Sequence, residues 1–112
     1  MVTTNRSDNS SHLGDTVNGF DNGIHSIQVS KSGFNLSQST IVDNINFEII
    51  NVSYNGTNAS SSEFASGNSA FIYSTADDIL YFDDNGSSAG FSVIFENASS
   101  STPDADDFIV VA

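Results

Sequence analysis

The chain has 112 residues with fourteen Asp and Glu against only two Lys and Arg, a formal charge of -12, and no cysteine. That balance excludes nucleic acid as a partner, because no basic patch exists to displace phosphate counterions. It also excludes disulfides and thiolate metal sites, and no apolar run approaches the length of a membrane span.

Residues 1–12, MVTTNRSDNSSH, are polar, aperiodic and without an apolar h-region, so they are expected to form a disordered arm and no general secretory signal. From Leu13 onward short apolar runs alternate with Gly, Asn, Ser and Asp clusters, which predicts a single all-β domain over 13–112. The runs place strands near Thr16–Gly19, Ser26–Ser30 and Asn46–Tyr54, then Ala70–Ser74, Ile79–Asp83, Gly90–Glu96 and Asp107–Val111. Helical periodicity is almost absent, and short turns near Ser37–Asn44 and Ser60–Ala65 are its best candidates.

Two hairpins are well specified. Residues 74–78 link the aromatic run Phe71-Ile72-Tyr73 to Ile79-Leu80-Tyr81-Phe82, and Asp84-Asn85-Gly86 supplies an Asn-Gly turn before the next strand. Phe91, Val93 and Phe95 alternate with Ser92, Ile94 and Glu96, so the Phe91 face is expected to pack on a core. The expected product is a small antiparallel sandwich or β-roll-capping domain built on an aromatic three-stranded meander.

Few residues offer chemistry. His12 and His25 stand apart from any metal-ligand spacing, and no G-x-S-x-G elbow is present, so no enzyme is expected. The best cation candidate is Asp83, Asp84 and Asn85 beside Gly86, since calcium takes several oxygens from carboxylates and carbonyls on a tight turn. The competing reading is a solvated hairpin turn, and it is somewhat stronger for Asp77 and Asp78 at the facing turn. Asp15 and Asp21, with Asn22 and Gly23, form a second candidate, and Asp104, Asp106 and Asp107 a third acidic cluster. Tyr54, Tyr73, Tyr81 and Phe82 fit core packing better than a carbohydrate platform.

The order FIY, LYFD, a Gly86/Ala89/Gly90 loop and the ending DFIVV resembles the C-terminal domain of RTX-like (hemolysin-type calcium-binding) proteins exported by type I secretion. Asp15-Thr16-Val17 and Ser26-Ile27-Gln28-Val29-Ser30 resemble the segment after that family's last β-roll turn. The chain departs from the pattern in lacking an intact G-G-x-G-x-D repeat, in Asn85 where the loop has aspartate, and in Asp78 where a turn has glycine. The resemblance implies a non-catalytic, calcium-responsive module, extracellular or at the cell surface, with Asp15 a ligand at the remnant of the roll. It implies the type I export machinery as partner, reading the C-terminal segment, and a partner chain or an upstream domain completing the Asp15 half-site. Asp21, Asp78, Asp83, Asp84 and Asn85 complete the candidate ligand set as read from the residues themselves. The alternative is a subunit that assembles with copies of itself into a surface layer, fibre or matrix by strand addition.

Overall fold

A computed structural model describes residues 2–4, 15–17, 27–32, 34, 36, 39–86, 91–97 and 102–111. They form eight strands: β1 (Val2–Thr4), β2 (Asp15–Val17), β3 (Ile27–Ser30), β4 (Phe47–Ile50), β5 (Ala70–Ser74), β6 (Ile79–Asp83), β7 (Ser92–Asn97) and β8 (Phe108–Val111). A four-residue helix, α1 (Ser62–Ala65), lies between β4 and β5, and a 3-10 turn at Ala105–Asp107 precedes β8.

The strands make two sheets, ordered β1-β3-β8 and β2-β7-β6-β5-β4, so the all-β fold expected from the alternation is the one observed. The meander is there as well: β5, β6 and β7 are consecutive antiparallel neighbours, with Phe71 opposite Phe82 and Leu80 opposite Phe95. Pairing elsewhere is parallel, for β1 with β3, β3 with β8, β2 with β7 and β4 with β5. The architecture is therefore one parallel and one mixed sheet, whose parallel pairs the sandwich alternative of the sequence reading did not include. Parallel neighbours need a long crossover, and residues 51–69 provide one between β4 and β5. Val2–Thr4, within the segment expected to be an arm, pairs with Ile27–Val29.

Two apolar clusters follow from strand alternation. Phe71 and Tyr73 of β5, Leu80 and Phe82 of β6, Ile94 of β7 and Phe47 of β4 meet Ile27 and Val29 of β3 and Phe108 of β8 between the sheets. Phe34 fills the centre, with its ring centroid 4.8 Å from Phe82 and 5.2 Å from Phe71. On the opposite face of the larger sheet, Ala70, Ile72 and Tyr81 pack with Tyr54 and Phe64 from the 51–69 crossover. Because both faces are covered, all five residues of β5 are buried, as expected of a central strand.

That second layer is the core on which the Phe91 face of β7 packs. The Phe91 ring, 43% exposed, lies 5.1 Å from Tyr54 and 5.5 Å from Tyr81, and Val93 packs against the same cluster. The alternate residue Ile94 is fully buried and faces the inter-sheet core, so β7 meets an apolar layer on both sides.

The β5–β6 link spans residues 75–78, closed by Asp78 N–H donating to the Ser74 carbonyl at 2.8 Å. Asp78 sits at φ 57°, a left-handed conformation that a short polar side chain tolerates. The turn after β6 is tighter than a free hairpin. Gly86 has φ 65°, and a Cβ there would meet the Phe64 carbonyl oxygen and lie 2.7 Å from the Gly67 Cα. The turn is thus clamped against the end of α1.

Candidate functional site: the acidic loops and an open sheet edge

Asp83, the first of the expected calcium ligands, ends β6 and is fully buried. One carboxylate oxygen accepts the Tyr54 hydroxyl at 2.6 Å and the other accepts the Asn85 N–H at 3.0 Å. Burial holds the Tyr54 hydroxyl protonated well above the usual phenol range, and the hydrogen bond to Asp83 and the charges of Asp83 and Glu48 add to this. The pair ties the crossover to the end of the meander, with Tyr54 as donor.

Asp84 and Asn85 follow on the same turn, Asp84 exposed and Asn85 half-buried. Asp78 lies at the opposite end of β6, so it does not join them. There Tyr73 donates to Asp78 at 3.4 Å and accepts the Asn97 side-chain amide at 3.1 Å. Beside it Asp77 accepts from both Ser53 (2.9 Å) and Tyr81 (3.1 Å). Burial raises the Tyr73 and Tyr81 hydroxyls too, with Asp78 and Asp77 adding in the same direction. The Asp15 backbone is in β2 opposite Phe95, but its side chain and Asp21, like His12 and His25, lie outside the described residues. Among the described residues no three His, Cys, Asp or Glu side chains gather as a metal site.

A second buried carboxylate was not singled out from sequence. Glu48 of β4 accepts the main-chain N–H groups of Ser60 and Ser61, both at 2.7 Å, and the Ser60 hydroxyl at 3.1 Å. Those amides belong to the N-cap residue of α1, Ser61, and the residue before it. Glu48 thus fastens the crossover to the outer face of the larger sheet. The available signal was a charged residue inside the apolar run Phe47–Ile50.

The third acidic cluster divides by role. Asp104 and Asp107 form a reciprocal capping box around the 3-10 turn: Asp104 accepts the Asp106 N–H at 3.0 Å, and Asp107 accepts the Asp104 N–H at 2.9 Å. Asp107 is buried and Asp106 exposed. The D-x-x-D spacing carried this signal.

Between this turn and β4 lies a groove of about 480 Å³, lined by Ile41, Val42, Asp43, Ile49, Asp104, Ala105 and Asp106. Buried Asn46 shapes one wall, accepting the Val42 N–H at 2.7 Å and donating to the Thr40 carbonyl at 2.9 Å. The brace leaves Val42 42% exposed, and Ile49 is 42% exposed beside it. β4 is also the edge of its sheet. The carbonyls of Asn46 and Ile50 accept from Phe71 and Thr75 of the β5 side, so ladder alternation turns the Ile49 N–H and C=O outward. Asp43 bridges Phe47 in the parallel sense, and the Asn44 N–H donates to the Phe47 carbonyl at 2.7 Å. The chain therefore covers the start of this edge itself and leaves it at Ile49.

These features define the class: a small all-β protein of one parallel and one mixed sheet with an apolar, acid-rimmed groove at an open edge. No known protein family, curated protein or solved structure matches the chain. The likeness to RTX C-terminal domains thus rests on the residues quoted for it.

Proposed function

We propose that the chain is a non-catalytic, extracellular β module that works by binding, with the β4 edge and its groove as the working surface. The observation that carries this is Ile49, whose side chain and outward main-chain groups stand together on an edge strand. Sheet edges take up extended segments through main-chain hydrogen bonds, with pockets for alternate side chains giving selectivity. Selection of peptides from a displayed library on the purified chain tests the reading. Binders lost on Ile49→Lys support it, whereas binders indifferent to that change sink it.

A calcium response is the second reading, favoured by Asp43, Asp78, Asp84 and Asp106 all being exposed in a chain of charge -12. Divalent cations at millimolar concentration outside the cell would relieve the repulsion among such carboxylates and favour the compact state. Far-UV circular dichroism titrated with calcium, against magnesium, checks it: a cooperative gain of β signal supports a folding switch. A spectrum insensitive to calcium and chelator removes it. Export would use the type I machinery reading the C-terminal segment before folding. Cells carrying such an exporter should secrete the full chain but not one with residues 108–111 replaced by serine, and equal secretion would refute the signal.

A further inference from the structure

The identity of the occupant can be taken further, and this step rests on the edge-binding reading. We infer that the groove takes a short extended segment of a different protein in which apolar residues alternate with Lys or Arg.

The floor is apolar, made by Ile41, Val42, Ile49 and Ala105. Asp43 stands on one wall and Asp106 on the other, both exposed. Asp104 also lines the groove, with one oxygen engaged by the Asp106 N–H. An extended segment places successive side chains on opposite faces, so one set enters the floor while main-chain groups reach Ile49. The walls then offer carboxylates to the segment's flanking positions, which suits cationic side chains and repels acidic ones.

Charge also decides against a second copy of this chain. A copy brings fourteen carboxylates and only Arg6 and Lys31, and the Lys31 ammonium already donates to Ser39 at 3.3 Å. Two such surfaces meeting at Asp43 and Asp106 would add like charges where the groove is already acidic. The chain's own pairing at Phe47, made by Asp43 in the parallel sense, shows the direction an incoming strand would continue toward Ile49.

The probe is a displayed library of random ten-residue peptides, selected on the full chain at low salt. The expected result is enrichment of sequences alternating apolar with Lys or Arg. Their affinity should fall about five- to tenfold in the Asp43→Asn, Asp106→Asn double variant and fall again as salt is raised. Ile49→Lys, or the milder Ile49→Thr if the first perturbs folding, should abolish binding. Peptides without basic bias that still need Ile49 but ignore Asp43 and Asp106 would overturn the occupant and leave the edge reading standing. Concentration-dependent dimerisation abolished by Ile49→Lys would overturn it in favour of a second copy. If no enriched peptide depends on Ile49, both the occupant and the edge reading fall.

Discussion

The Tyr54 hydroxyl reaches the fully buried Asp83 carboxylate at 2.6 Å across a sequence separation of 29 residues. The contact turns the first residue of an apparent calcium loop into a structural acceptor. It also fixes the first part of the 51–69 crossover to the end of β6, beside the second apolar cluster of Ile72, Tyr81 and Phe64.

Removing either partner should therefore cost stability. Asp83→Ala strands a buried hydroxyl and is expected to lower unfolding free energy by about 2–3 kcal/mol, with Tyr54→Phe costing about 1–2 kcal/mol. A double-mutant cycle by urea denaturation should show coupling; additive losses would mean the contact contributes nothing specific.

The same two residues separate structure from calcium. Asp83→Asn should act mainly on stability, whereas Asp84→Asn, at an exposed position, should leave stability within about 0.5 kcal/mol. If a calcium response is found, Asp84→Asn should weaken it. A response that survives Asp84→Asn unchanged would take this loop out of the calcium reading.

Alkaline pH provides another check. Tyr54, Tyr73 and Tyr81 hold their protons in the folded state above the ordinary tyrosine range, in each case chiefly through burial. Below about pH 10 both states are protonated and the contribution is fully present. As pH rises beyond that, the unfolded chain loses protons that the folded chain keeps, so stability declines, by up to about 1.4 kcal/mol per pH unit at Tyr54. Denaturation midpoints measured from pH 8 to 12 should show this fall. Tyr54→Phe should make it shallower, and an unchanged slope would contradict the assignment.

Gly86 tests the clamp between the β6–β7 turn and α1. Gly86→Ala meets both a positive φ and main-chain atoms of Phe64 and Gly67, so a loss of about 2–3 kcal/mol is expected. A thermal melt close to that of the parent would show that the turn stands clear of α1.

Glu48 tests the crossover. Glu48→Gln keeps the size but removes the charge that receives the Ser60 and Ser61 N–H groups, at a cost of about 1–2 kcal/mol. Hydrogen exchange should quicken at residues 60–66 more than in β5. Uniform quickening would mean that Glu48 supports the whole sheet rather than the crossover.

Much of the fold is legible in the chain. The aromatic runs 71–73 and 79–82 and the short links beside them mark the meander, and all of β3 through β8 fall on runs the alternation picks out. What it did not show is that β7 meets two cores, Ile94 between the sheets and Phe91 with Val93 against the cluster that residues 51–69 complete. The candidate calcium residues show the same limit. Asp83, Asp84 and Asn85 are adjacent in sequence, yet only Asp83 is turned into the core, to meet a tyrosine from another segment. Nothing local distinguishes Val42 and Ile49 from core residues either; their exposure follows from the Asn46 brace and from β4 lying last in its sheet.

The sequence by itself determined the all-β class, the three-stranded meander and the strong negative charge. These depend on period-two alternation, turn chemistry and composition, all properties of neighbouring residues. Only the tertiary structure decided the parallel pairings, the burial of Glu48 and Asp83 and the open edge at Ile49. Each of these is set by segments far apart in the chain, and which partner a strand edge or carboxylate finds depends on how the whole chain packs.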